Sequence, residues 1–170
     1  MSWRDQLWQY CANPENFPTI VVKYDNDYVA INDQYPKSKK HFLVMPRKRI
    51  GLKDLTKQDI PMILEMEKMG SSLIQDNQEF KMGFHAVPSM NQLHLHVISV
   101  DHVSTCLKLK KHYLSFTTDF FVPVDTMIDL PSIDIEKYEA LLKGKLVCHH
   151  CKQEFKTMPK LKQHLEEIYK

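Results

Sequence analysis

The sequence predicts an α+β domain with a mostly antiparallel sheet and one long helix, followed by a small separate module. Three observations carry this expectation. Short apolar runs bounded by Pro, Asn and Asp recur before residue 100, one longer segment has helical periodicity, and the pattern changes character after residue 144. Hydrophobic residues make up 43% and charged residues 26% of the 170 positions, which suffices for a sizeable core.

The elements follow in order. Residues 2–11 read as a helix, with Trp3, Leu7 and Tyr10 at i, i+4 and i+7, ended by Asn13, Pro14, Asn16 and Pro18. Residues 20–24 and 28–32 read as strands around an Asp25-Asn26-Asp27 turn, and 41–45 as a third strand ended by Pro46. Residues 56–76 form the longest expected helix. Thr56 and Asp59 have capping-box spacing, Pro61 is tolerated in the first turn, and Ile63, Met66, Leu73 and Ile74 mark an apolar face. Two more strands, 80–87 and 93–100, are joined by Pro88-Ser89-Met90-Asn91. Residues 117–134, with Pro123, Pro131 and several acids, read as a connecting segment, and 135–142 as a short helix ended by Gly144. The expected organisation is a main domain over 1–116, a connecting segment with a short helix over 117–144, and a module over 145–170.

Composition excludes several classes. No run of about 18 apolar residues occurs and the start MSWRDQLWQY is not signal-like, so neither a membrane span nor secretion is expected. Four glycines leave no Gly-rich phosphate loop of the Walker or dinucleotide kind. Net charge is only +2, but the charges are segregated. Lys37 to Lys53 holds seven Lys/Arg and no carboxylate, and residues 145–170 hold six lysines against three glutamates. Lys108, Lys110 and Lys111 form another basic cluster, whereas residues 119–139 hold six acids and one lysine. Such segregation suits a cationic face for phosphates, although scattered solvated lysines would give the same counts.

Two constellations carry chemistry. In Gln92-Leu93-His94-Leu95-His96-Val97-Ile98, strand alternation puts Gln92, His94 and His96 on one face, roughly 6.6–6.8 Å apart, over packed leucines. Neutral imidazoles side by side can supply a nucleophile or base and an acid. His-x-His is equally a metal-ligand pair or a structural pair, and spacing alone leaves all three open. Nearby Ser89, His85, Lys37 and His41 add hydroxyl, ammonium and imidazole groups of the kind that hold and polarise a phosphate.

The second is Cys148-x2-Cys151 followed after twelve intervening residues by His164, the front of a zinc finger, for which Phe155 and Leu161 supply a small core. A second histidine would fall where Ile168 stands. The nearest oxygen donor is Glu167, an allowed zinc ligand, and His149 or His150 are the alternatives. One structural zinc per chain follows, held by Cys148, Cys151, His164 and Glu167. Cys11 and Cys106 read as structural, and the cysteine pattern favours a reducing compartment.

The stretch Asp33 to Pro46, followed by Ser89-Met90-Asn91-Gln92-Leu93-His94-Leu95-His96-Val97-Ile98-Ser99, resembles the histidine-triad superfamily of nucleotide hydrolases and transferases. Gly83-Phe84-His85-Ala86-Val87-Pro88-Ser89-Met90, Cys106 to Tyr113 and the terminal zinc module narrow the resemblance to its aprataxin family. No forkhead-associated domain is present, so the similarity is to the fungal-type form. The resemblance implies a histidine-triad fold and a DNA 5′-adenylate hydrolase that clears abortive ligation ends in single-strand break repair. It implies that His94 attacks the α-phosphate to give an adenylyl-histidine, that His96 assists at the leaving oxygen, and that no catalytic metal is needed. Lys37, His85 and Ser89 would line the phosphate site, Asp33 would take the ribose hydroxyls, and Gln92 and Lys111 would belong to the same substrate surface. A helix carrying Trp3 would wedge against the terminal base pair. The implied partners are DNA with adenylated 5′ ends, AMP as product, and other DNA repair proteins, in the nucleus and also the cytoplasm. The pattern departs at its first histidine, where Gln92 stands; an amide can still donate and accept hydrogen bonds. Two rivals share most of these residues: a general hydrolase of AMP-amides or dinucleoside polyphosphates, and a non-catalytic DNA-end-binding zinc-finger protein.

Overall fold

The computed structural model describes residues 1–75 and 77–170; Asp76, the last residue of the expected long helix, lies outside the described residues. Strands β1 (Val21–Tyr24), β2 (Tyr28–Asn32), β3 (His41–Pro46), β4 (Phe80–His85), β5 (Leu95–Ser99) and β6 (Phe121–Pro123) form one sheet. Its order is β1-β2-β3-β5-β4-β6 and each neighbouring pair is antiparallel. The β1–β2 hairpin turns on Asp25, whose Oδ1 accepts from the main-chain N–H groups of Asp27 and Tyr28, both at 2.8 Å.

One face of the sheet is covered by α2 (Ile60–Ser71). Thr56 N–H donates to Asp59 Oδ2 at 2.9 Å, closing the capping box ahead of a 3-10 turn that runs into α2. Ile63, Met66 and Met69 then meet Val44, Phe84, Leu95 and Val97 in the main core. The helix ends at Ser71, where the ladder tightens to Leu73 N–H on Gly70 O at 3.0 Å and Ile74 N–H on Ser71 O at 3.3 Å, and Leu73 and Ile74 reach the core from this turn.

The other face receives α1 (Trp8–Ala12), with Leu7, Tyr10 and Cys11 over Val29, Ile31, Leu43 and Met45. The helix expected over 2–11 is therefore two pieces, a 3-10 turn at Trp3–Asp5 and then α1. Arg4 O accepts from Asn91 N–H at 2.8 Å instead of from a helical neighbour, which breaks the ladder.

The largest difference from the sequence reading follows residue 100. Helix α3 (Lys110–Thr117), strand β6 and helix α4 (Val124–Met127) are integral to the domain, so the segment read as a connection begins inside its body. Phe121, Val122, Val124 and Met127 are buried. Pro123 argues against a strand in sequence, yet β6 is the edge strand, where the missing N–H costs nothing. Gly83 makes this edge possible. It pairs with His96 on one side and Pro123 on the other, and a Cβ there would stand 2.5 Å from Val122 O. After α5 (Ile135–Leu141), the module is a ββα unit of β7 (Leu146–Val147), β8 (Glu154–Phe155) and α6 (Met158–Ile168). Its core of Leu146, Met158, Leu161 and Leu165 is continuous with Leu107, Tyr113 and Leu114 of the main domain. Among the described residues, no helix is long and apolar enough to cross a membrane.

Candidate active site and metal centre

His96 lies within β5 and His94 immediately before it, and both are buried on the sheet face away from α2. Their ring centroids are 5.0 Å apart, and His85 of β4 stands 4.3 Å from His96. Phe116 of α3 packs on the group, with its centroid 4.5 Å from His85, 5.1 Å from His96 and 5.3 Å from His41. Phe116 was not singled out by sequence reasoning. Its only signal is its place three residues after Tyr113 on one helical face.

Hydrogen bonds fix the tautomers. His94 Nδ1 lies 2.8 Å from the main-chain carbonyl oxygen of Gln92. A carbonyl can only accept, so Nδ1 carries the proton and Nε2 keeps its lone pair. A second chain runs through His41. The main-chain N–H of Lys37 donates to His41 Nδ1 at 3.1 Å, which leaves the His41 proton on Nε2. That Nε2–H faces His96 Nδ1 at 2.9 Å, so His96 accepts there and carries its own proton on Nε2. His96 Nε2 and His85 Nε2 are buried without a partner among the described residues. Buried polar atoms are almost always satisfied, so an oxygen-rich ligand is the natural complement of this pair. Asp33, His41 and His96 also place potential metal ligands within 4.8 Å of one another. The 2.9 Å imidazole contact uses two of those nitrogens on a shared proton, which makes His41 and His96 a hydrogen-bonded pair with Asp33 beside it.

Burial keeps these rings neutral. It lowers the pKa of His94, opposed by the Gln92 carbonyl and by Asp33. It holds His85 and His96 well below the ordinary 6.5, with further lowering from the neighbouring imidazoles and Lys37. His41 is pushed down to about 4 by burial, against the pull of Asp33, whose Oδ2 lies 3.5 Å from Nδ1. Lys37 is half-buried and its pKa is lowered by burial, opposed by Asp33 and Cys106. Asp33 Oδ1 accepts from Tyr35 N–H at 2.7 Å, so the loop that carries Lys37 is built on the same carboxylate.

The other expected site residues fall in three places. Ser89 is exposed on the β4–β5 connection, Lys111 is exposed on α3, and Trp3 is 57% exposed with the Arg4 guanidinium 5.4 Å from its ring. Gln92 is placed differently from the strand-alternation reading. Its side chain is only 3% exposed and donates from Nε2 to Pro46 O at 2.8 Å and to Lys48 O at 2.9 Å. Residues 92 and 93 leave the sheet register to bond the loop after β3, and this removes Gln92 from the histidine face.

Cys148 and Cys151 lie on the knuckle between β7 and β8, where Lys152 takes a left-handed φ of 65°. Cys148 N–H donates to Gln153 O at 2.8 Å and Lys152 N–H to Cys148 O at 2.9 Å. His164 of α6 completes a set whose ligand atoms lie within 4.8 Å of one another, and Cys151 Sγ is 3.2 Å from His164 Nε2. Two thiols and an imidazole are three of the four donors of a structural zinc site. Glu167 does not join this set: it is exposed, and Ile168 packs toward the shared core. His149 is also committed elsewhere, with Nδ1 3.0 Å from Tyr113 Oη and Nε2 3.1 Å from Tyr169 Oη.

An antiparallel sheet with paired, tautomer-fixed histidines at β5, joined to a ββα zinc finger, defines a histidine-triad protein with a zinc-binding module. Comparisons agree with both halves. A family model described as scavenger mRNA decapping enzyme C-terminal binding matches residues 7–112, and a C2HE / C2H2 / C2HC zinc-binding finger matches residues 117–170. The chain is 36% identical over 194 residues to an aprataxin-like protein of Schizosaccharomyces pombe, covering 99% of this chain and 82% of that protein. It is 40% identical over 161 residues to aprataxin of Gallus gallus, covering 88% of this chain and 51% of that protein. A crystal structure of the aprataxin ortholog Hnt3 in complex with DNA superposes with a TM-score of 0.86 at 34% identity, covering 99% of this chain and 95% of that one. The chain belongs to the aprataxin family. It spans between 20% and 51% of the length of the first curated relatives it matches.

Proposed function

We propose that this protein removes AMP from 5′-adenylated DNA ends through a covalent adenylyl-His94 intermediate, in single-strand break repair. The observation that carries this reading is the His94 geometry: Nδ1 is held protonated by the Gln92 carbonyl, and burial keeps the ring neutral with its Nε2 lone pair available. Support for a DNA substrate comes from the relatives solved with DNA, and with DNA and guanosine.

In the first step His94 Nε2 attacks the adenylate phosphorus. The bond from that phosphorus to the bridging oxygen breaks, and its electron pair leaves with the DNA 5′-phosphate. His96 Nε2–H donates to the developing charge, and Lys37 and His85 hold phosphate oxygens beside it, with Ser89 at the rim. Water then attacks the same phosphorus, the P–N bond breaks, and AMP departs with His94 restored. Asp33 takes the ribose hydroxyls. Lys111 and the basic module would hold the DNA backbone, Trp3 would cap the opened end, and DNA repair proteins in the nucleus would be the neighbours.

The test is AMP release by His94→Ala. This variant should form no acid-labile AMP adduct and release no AMP, while binding DNA normally. His96→Ala should be slower by on the order of 10²- to 10³-fold, the usual cost of one lost donor at developing charge. Turnover by His94→Ala at the wild-type rate would overturn the mechanism. A zinc ion fits the Cys148, Cys151 and His164 donors and would supply folding stability to the module.

A further inference from the structure

We infer that Gln92 is a positioning residue for His94, and that the role requires an amide because both carbonyls it serves need a donor from one uncharged group. Pro46 O and Lys48 O flank Arg47 in the turn that leaves β3, and one nitrogen, Gln92 Nε2, donates to both at 2.8 and 2.9 Å. The amide orientation is set by these partners, since the reverse would press Oε1 against two carbonyl oxygens. The next residue continues the seam, with Leu93 N–H donating to Ile50 O at 2.7 Å. Three hydrogen bonds therefore stitch residues 92–93 to the loop over 46–50. The main-chain oxygen of the same Gln92 then accepts the His94 Nδ1 proton at 2.8 Å. The side chain anchors the residue, and the backbone of that residue sets the tautomer of the attacking ring.

The resemblance pattern has histidine at this position. A neutral imidazole carries one N–H and can serve only one of the two carbonyls. Serving both would demand a buried imidazolium next to His94, which desolvation opposes. Glutamine supplies both donors with no charge. Against a neutral imidazole the amide adds one donated hydrogen bond to the anchor, although its Oε1 is buried without a partner among the described residues, and the altered pattern is compatible with an active His94.

This inference rests on His94 being the nucleophile, so its test has a readout that does not need turnover. Gln92→Met keeps the volume and removes both donors; Gln92→His keeps one. All are compared as full-length, zinc-loaded protein. Nitrogen chemical shifts of the His94 ring report its tautomer, and kcat and KM are measured on adenylated DNA. The expected order for the Nδ1–H population is wild type, then Gln92→His, then Gln92→Met. The adenylyl-transfer rate should fall in the same order, by up to about 100-fold, the scale of small misplacements of a reacting group, with KM nearly constant. A folded Gln92→Met protein with the wild-type tautomer and kcat would overturn the inference. If no protein, wild type included, forms the adduct, the functional reading fails while the tautomer order still decides the role of Gln92.

Discussion

Acidification should unfold this protein through its interior histidines. His41 has a pKa near 4 in the fold against an ordinary 6.5, and its side chain is 1% exposed. His85, His96 and His102 are held well below 6.5 for the same reason, burial. The unfolded chain binds these protons below pH 6.5 and the folded one refuses them, so stability is complete above 6.5 and is lost as pH falls toward the folded values. For His41 alone the displacement corresponds to about 3 kcal/mol between pH 6.5 and 4. Four such rings, each about nine-tenths protonated when unfolded at pH 5.5, give a slope of roughly 5 kcal/mol per pH unit. That is comparable with the whole stability of a typical domain, about 5–15 kcal/mol. The assay is urea unfolding followed by circular dichroism at half-unit steps from pH 7.5 to 5, over the range in which bound zinc stays constant. A slope equivalent to one proton or fewer would refute the reasoning, because it would mean that the rings take up protons in the folded state as readily as in the unfolded chain.

Further outcomes follow from individual residues. Cys148→Ser should lose zinc and lower the melting temperature of the whole protein, since the module shares its core with α3; elemental analysis and calorimetry read both. Glu167→Ala should release zinc to a chelator faster than Glu166→Ala if its carboxylate closes the fourth position, and equal rates would pass that position to His150. Trp3→Ala should reduce activity on nicked adenylated DNA by the equivalent of about 1–3 kcal/mol of base stacking, with little loss on an AMP-amide or in thermal stability. Gly83→Ala should cost about 1–3 kcal/mol by pushing its Cβ into the Val122 carbonyl, seen as a lower urea midpoint.

Much of the fold was legible because its signals are local. The Asp25 turn, the Thr56–Asp59 cap and the alternation around His94 and His96 each write their geometry into neighbouring residues. What escaped reading depends on distant partners. The helix at residues 2–11 breaks because Asn91 takes the Arg4 carbonyl, and β6 exists because Gly83, far back in the chain, leaves space for it. Gln92 followed the strand period in sequence but was drawn inward by carbonyls 44 and 46 residues earlier. The thiols and His164 were found from spacing alone, and Glu167 stands exposed on α6 outside their cluster. Phe116, which ties four histidines together, carries no motif at all.

The docking of the ββα module on α3 also has a consequence for how the chain is made. Ser38 Oγ meets His102 Nδ1 across 64 residues, His102 stacks edge-on to His149 at 5.0 Å, and Lys39 reaches the carbonyl of Tyr169 across 130. The loop beside Lys37 is thus held partly by residues that follow it by 64 to 130 positions. During translation the sheet can form once β6 has emerged, at a rate of about 5–20 residues per second, but this corner stays open for the seconds needed to make the module that follows. A nascent chain that has emerged only to about residue 125 should therefore bury its main core while leaving Leu107, Tyr113 and Leu114 bare, a patch for chaperones to hold until the module arrives.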